Sequence, residues 1–97
     1  LAELFGGTGV TVNSVLPGPT NSDIVGRWMK ATAEEQGISV EEAEQNFLRD
    51  LRPTTLLNRF TTPEEVANMV VYACSEQAAG TTGAALRVDG GVVRSIV

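Results

Sequence analysis

Only two short stretches of this chain read as strand, and they stand far apart in it. Val10 to Leu16 is a β-branched, apolar run preceded by Gly9 and stopped by Pro17-Gly18-Pro19. Ala84 to Val88 is the second, ended abruptly by Asp89-Gly90-Gly91. The residues between them carry helical patterns. Two buried-type strands joined through helices belong in a parallel sheet with a right-handed crossover, and such a sheet needs helices on both faces. Two strands are too few to build one. The chain is therefore expected to be an α/β unit, incomplete on its own, which takes strands from elsewhere or pairs with copies of itself. At 97 residues it hides only about two-thirds of its unfolded surface.

The intervening helices announce themselves by caps and stripes. Ile24, Val25, Trp28 and Met29 recur on one face of a helix from Ser22 to Gln36, with Asn21 or Ser22 as its cap and Gly37 as its stop. Ser39 followed by Glu42 is a capping box, after which Val40, Ala43, Phe47, Leu48 and Leu51 line one face of a second helix. The acidic run from Glu34 to Glu44 reads as a solvated face. Arg52-Pro53-Thr54-Thr55 breaks that helix, and a connector holding Leu56, Leu57 and Phe60 runs to Thr62. Thr62-Pro63-Glu64-Glu65 then supplies an N-cap, a proline at the first helical position and a glutamate at the third, opening a third helix to about Ser75. Its apolar residues, among them Val66, Met69, Val70 and Val71, surround most of the circumference, so it needs cover on more than one side. Leu1 to Phe5 reads as a last helical turn ended by Gly6-Gly7, and the expectation is that the 97 residues are the tail of a longer protein.

Composition removes several classes of function. Twelve acidic against seven basic residues, with Lys30 the one lysine, leave no basic stripe for the phosphates of nucleic acid. The chain has no histidine, which takes away Ser-His-Asp and Cys-His catalysis and the commonest transition-metal ligand; no metal site and no hydrolase are expected. No apolar run reaches the 18 or so residues of a membrane span. Cys74 is single and lies in an apolar helical pattern, so it reads as a small hydrophobe, and a reduced, cytoplasmic setting is expected.

Three motifs in order carry a resemblance. Asn13 to Ser22 (NSVLPGPTNS), Arg59 to Ala67 (RFTTPEEVA), and Thr82-Gly83 with Val88-Asp89-Gly90-Gly91 resemble the C-terminal part of the short-chain dehydrogenase/reductases, in particular members of the 3-oxoacyl-acyl-carrier-protein reductase type. The resemblance spans nearly the whole chain. It implies a Rossmann-type parallel sheet that binds NAD or NADP beyond the carboxyl ends of its strands. Residues 1–97 would be a C-terminal fragment of one dinucleotide-binding domain, with residues 22–58 as substrate-lid helices. Pro17, Gly18, Pro19, Thr20 and Ser22 would be cofactor-binding. Pro17 and Gly18 would set backbone against the nicotinamide ring, while Thr20 would offer its N–H and Ser22 its hydroxyl to the carboxamide. Ser22 stands where the family more often has threonine, and the hydroxyl is kept. The substrate would be a small carbonyl or alcohol, and the third helix (63–75) and final strand would face a neighbouring subunit of a homo-oligomer.

The family's catalytic pair, a tyrosine and a lysine at i and i+4, has no counterpart here. Tyr72 is followed at that spacing by Glu76, whose carboxylate would raise the phenol pKa. No residue of this chain is expected to be catalytic, the pair would lie upstream of Leu1, and the chain by itself is expected to turn nothing over. Gly6-Gly7-Thr8-Gly9 follows a helix and precedes a strand, the wrong context for a pyrophosphate loop. Blander readings stand beside these. Pro17 to Ser22 could be a stiffened turn with a cap, Asn13 a buried amide serving backbone, and Asp89-Gly90-Gly91 a plain turn. Trp28, Met29, Phe47 and Leu48 could line a substrate pocket or form a small core. From another class of function, the chain could be a non-catalytic self-associating module.

Overall fold

The computed structural model describes residues 1–94. Its regular elements are β1 (Ser14–Pro17), α1 (Asp23–Gln36), α2 (Val40–Leu51), α3 (Pro63–Ala73) and β2 (Ala85–Val88), with single 3-10 turns at Glu3–Phe5 and Glu76–Ala78. The strands pair in parallel, Ser14 against Ala85 through Pro17 against Val88, so both carboxyl ends reach the same edge. The α/β class and the parallel pairing expected from the sequence are what the chain adopts. No helix among the described residues is long and apolar enough to cross a membrane.

The first strand is shorter and later than its β-branched run. Val10 to Asn13 are not strand, because the chain opposite them is a turn: the Gly83 N–H donates to the Val12 carbonyl at 2.8 Å, and the Val12 N–H donates to Thr82 Oγ1 at 3.1 Å. Gly83 holds φ at +69°, which a side chain would resist, and extended pairing begins only after it. Asn13 joins the two segments through its amide, donating to the Thr81 carbonyl at 3.1 Å and accepting the Ala84 N–H at 3.0 Å. It is an amide serving backbone.

The helix ends follow their local chemistry. Ser22 caps α1 by accepting the Val25 N–H at 3.4 Å, and Gly37 ends it at φ +66° with its N–H turned back to the Ala33 and Glu34 carbonyls. Ser39 caps α2 by accepting the Glu42 N–H at 3.1 Å; the returning bond of a full capping box is absent among the described residues. The three-residue link folds α1 and α2 into a helical hairpin whose core is Met29, Ala33, Ala43, Leu48 and Phe60. Met29 and Leu48 are buried outright, so they are core rather than pocket. The outer half of the expected α1 stripe is not covered: Ile24 is 73% exposed and Trp28 51%. Glu34, Glu35, Glu41 and Glu42 are exposed, as a solvated face requires, whereas Glu44 is half-buried, and that burial together with the Glu41 charge raises its pKa.

At the start of α3 the capping box is complete. Thr62 Oγ1 accepts the Glu65 N–H at 3.1 Å, and Glu65 Oε1 accepts the Thr62 N–H at 2.9 Å. Arg59 adds a bidentate clasp, its Nη1 and Nη2 donating to the two Glu65 oxygens at 2.7 and 2.8 Å. That hydrogen bonding, foremost from Arg59, draws the Glu65 carboxyl from its ordinary 4.5 to about 2. Between those two values the unfolded chain binds a proton that the folded chain does not, so the clasp stabilises fully above about pH 4.5 and loses its effect as pH falls towards 2. The thermal midpoint is expected to drop across this window, and Glu65→Gln, which keeps an N3 acceptor but no charge, is expected to flatten the drop. An unchanged pH profile in Glu65→Gln would remove the clasp from the account.

α3 packs against both strands yet buries no residue of its own. Val70 and Val71 are 44% and 67% exposed. The sheet is also sparsely covered, since along β1 only Val15 is half-buried. The radius of gyration is 16.9 Å, against about 12.5 Å for a compact chain of this length. The core lies in the helical hairpin, and the parallel pair leaves its faces largely open.

Candidate functional site

The expected nicotinamide-side loop, Pro17 to Ser22, leaves the carboxyl end of β1 and enters α1. Pro17 closes the strand, and the next ladder bond runs from the Gly18 N–H to the Val88 carbonyl at 3.0 Å. Gly18 lies so close to the end of β2 that a Cβ there would meet the Asp89 Cα at 2.7 Å. Only glycine fits this crossing.

The other side of the loop is tied by a residue the sequence reading passed over. Thr61, 3% exposed, donates its N–H to the Pro19 carbonyl at 2.9 Å and accepts the Asn21 N–H at 2.8 Å, which makes an isolated parallel bridge with Thr20. The Thr20 hydroxyl donates to the Gly18 carbonyl at 2.9 Å, so the Thr61 hydroxyl, 3.1 Å from Thr20 Oγ1 and 3.2 Å from the Pro19 carbonyl, supplies the second hydrogen. The NSVLPGPTNS and RFTTPEEVA motifs therefore meet at Thr20 and Thr61. Sequence marks the neighbouring Thr62 as a helix cap, and nothing local singles out Thr61.

After these bonds, and besides the exposed Asn21 amide, two donors in the loop remain. The Thr20 N–H has no partner among the described residues. Ser22 Oγ accepts from Val25 but its own hydrogen is uncommitted. Pro19 has no N–H, and the Gly18 and Asn21 N–H groups are spent on Val88 and Thr61. The geometry thus leaves available the N–H and the hydroxyl that the resemblance gave to Thr20 and Ser22.

Beside the loop is a cleft of about 420 Å³ lined by Pro17, Gly18, Pro19, Phe47, Arg52 and Asp89, among others. Arg52, the C-cap of α2, reaches its edge, and the connector that follows has a defined course. The Leu56 and Leu57 N–H groups both donate to the Gly90 carbonyl at 2.9 Å, and the Thr54 hydroxyl donates to the Val92 carbonyl. Asp89 serves its own turn: Oδ1 accepts the Gly91 N–H at 2.9 Å and Oδ2 the Val93 N–H at 3.2 Å. Burial pushes its pKa up, but these bonds and the Arg87 charge outweigh that and hold it below the ordinary carboxylate range. Phe47 belongs to core and cleft at once, edge-on to Trp28 at 5.4 Å, tilted on Phe60 at 5.5 Å, and exposed to the cavity.

A cleft outside the carboxyl ends of parallel strands, fronted by a loop with unspent donors, is the ligand site of open α/β sheets. The comparisons with known proteins make the class specific. A family model described as Enoyl-(Acyl carrier protein) reductase matches residues 1–93, and the chain belongs to the short-chain dehydrogenase/reductase family. It is 43% identical over 96 residues to an uncharacterized oxidoreductase, YvaG, of Bacillus subtilis, covering 99% of this chain and 36% of the relative. It is 35% identical over 86 residues to D-beta-hydroxybutyrate dehydrogenase of Cupriavidus necator, covering 89% of this chain and 32% of the relative. L-sorbose reductase of Gluconobacter frateurii, solved with NADPH and L-sorbose, superposes with a TM-score of 0.83 at 27% identity, over 98% of this chain and 35% of that one. The two strands and three helices are thus a portion of a Rossmann-type fold, and the chain spans about a third of the length of the relatives it matches.

Proposed function

We propose that this chain supplies the nicotinamide-side loop and the substrate lid of an NAD(P)-dependent oxidoreductase that interconverts a carbonyl and an alcohol. The observation that carries the reading is the pair of uncommitted donors, the Thr20 N–H and the Ser22 hydroxyl, on a loop clamped from both sides at the strand ends. When bound, the cofactor supplies or accepts a hydride. Thr20 and Ser22 would hold its carboxamide, and Pro17 and Gly18 would set backbone against the nicotinamide ring. Phe47, Pro19 and Val92 would keep water from the ring, with α1 and α2 as the lid over residues 22–58. The residues fit a dinucleotide's nicotinamide end, while nothing in them chooses between NAD and NADP. Proton transfer is not theirs, since Tyr72 has Glu76 at the i+4 position where the family's lysine would stand. The 97 residues alone are expected to oxidise no NADH or NADPH in the presence of carbonyl compounds.

The test separates the ligand role of Ser22 from its capping role, using the whole protein that carries this chain. Ser22→Gly costs α1 only a few tenths of a kcal/mol as a cap, whereas Ser22→Ala costs about 1 kcal/mol. Both remove the hydroxyl, so both are expected to weaken cofactor binding about 3- to 10-fold in a fluorescence titration, while Ser22→Thr restores it. Affinity that follows helix stability rather than the hydroxyl would defeat the proposal.

A second reading is supported by α3, which is apolar around most of its circumference and has no fully buried residue. In it, α3 and β2 make a homomeric interface, and the chain acts as a non-catalytic self-associating module. Self-association by itself suits both readings, and a self-associating protein that binds no nicotinamide cofactor would favour the second. The reduced, cytoplasmic setting expected from the single Cys74 forms part of the proposal and not of its support.

A further inference from the structure

We infer that the cleft beside Pro17 to Pro19 takes a carbonyl substrate that also bears a carboxylate, and that Arg52 is the residue that selects it. The inference rests on the cofactor reading above and names the substrate class of the same site. The cleft is lined by the apolar Leu16, Phe47, Val92 and Val93 and by the charged Arg52, Arg87 and Asp89. Asp89 is the one carboxylate among the lining residues, and both its oxygens are engaged by the Gly91 and Val93 N–H groups. Arg52 is placed differently from the two arginines that hold carboxylates. Arg49 pairs with Asp50 at 3.2 Å and Arg59 with Glu65 at 2.7 Å. Arg52 donates from Nη1 to the Leu51 carbonyl at 2.8 Å, and no carboxylate pairs with it among the described residues.

A guanidinium has five donors in a rigid fork, and one bond to a carbonyl leaves most of them for a ligand. The connector is moored to the end of β2 by the Leu56 and Leu57 bonds to Gly90 and by the Thr54 bond to Val92, which sets Arg52, two residues before Thr54, beside the cavity. In a chain whose formal charge is −5, Arg52 is thus a cation without a carboxylate partner among the described residues, at a cleft that Phe47, Val92 and Val93 also line. The ligand it suits has a hydrocarbon body against Phe47 and the valines and an anionic end at Arg52, as an oxo acid or hydroxy acid would.

The test needs no turnover. The whole protein, loaded with the oxidised cofactor it binds, is titrated calorimetrically with hexanoate and with hexanamide, which share size and shape and differ in charge. Hexanoate is expected to bind about 10-fold more tightly or better, and Arg52→Gln to bring the two within about 2-fold by weakening the acid. Arg52→Lys, which keeps the charge without the fork, is expected to keep part of the preference. Equal affinity for the two ligands, binding of neither, or an Arg52→Gln variant that weakens both alike overturns the inference. A protein that binds no cofactor in the parallel titration overturns both this inference and the reading it rests on, whereas retained cofactor binding with charge-blind ligand binding overturns this one alone.

Discussion

Gly18→Ala is expected to disable the loop proposed to hold the cofactor. The new Cβ would sit 2.7 Å from the Asp89 Cα and 2.8 Å from its Cβ, and neither can move like the tip of a flexible side chain. Either β1 and β2 separate at their carboxyl ends or the loop lifts off Val88, losing the Gly18 N–H bond. Overpacking of this kind costs about 1–3 kcal/mol, and the displacement carries the Thr20 and Ser22 donors with it. Nicotinamide cofactor binding is expected to fall below detection in a fluorescence titration, together with a lower thermal midpoint. Gly26→Ala provides the contrast. Gly26 is inside α1, its added Cβ would meet nothing nearer than Asn21 Oδ1 at 3.6 Å, and alanine there is expected to stabilise by about 1 kcal/mol. If Gly18→Ala bound cofactor as well as Gly26→Ala does, the close crossing at Asp89 would not be what positions the loop.

Leu48→Ala carries the largest expected loss of stability. Leu48 is 1% exposed and packs with Met29, Ala33, Ala43 and Phe60 in the one well-buried cluster of the described residues. Removing its branched end leaves a cavity worth about 2–5 kcal/mol, a large share of the stability of a domain this small. The loss would also reach the loop, since Phe60 belongs to this cluster and Thr61, next in the chain, ties down Pro19 and Thr20. Limited proteolysis is expected to cut within residues 22–58 first, and cofactor affinity to fall although Leu48 touches no ligand. A variant cut elsewhere first, with affinity intact, would show that the lid and the loop are mechanically separate.

What could be read in the sequence was what short-range chemistry decides. Ser22, Ser39 and Thr62 cap the helices expected of them, and Gly37 ends α1, because a cap is settled within four residues. The parallel pairing of the two strand runs was legible from their composition and separation. The start of β1 was not, since it depends on where the turn at Gly83 falls beside Val12. Thr61 was missed for a similar reason: its bonds go to residues about forty positions away, and a lone threonine carries no mark of them. Ile24 and Trp28 were read into one apolar stripe with Met29, yet periodicity groups residues on a helix surface and does not say whether anything lies there to cover them.

The parallel pairing also fixes an order of events in time. Asn13 must find Ala84, 71 residues later. At about 5–20 residues per second of synthesis, the first strand waits roughly 4–14 s for its partner to be made. The helical hairpin, whose pieces are neighbours, can close in that interval. Its closure shortens the wandering chain between the strands and lowers the loop entropy that their meeting must overcome. The α1–α2 hairpin would then be the earliest part of this chain to form, and the paired strand edge the last.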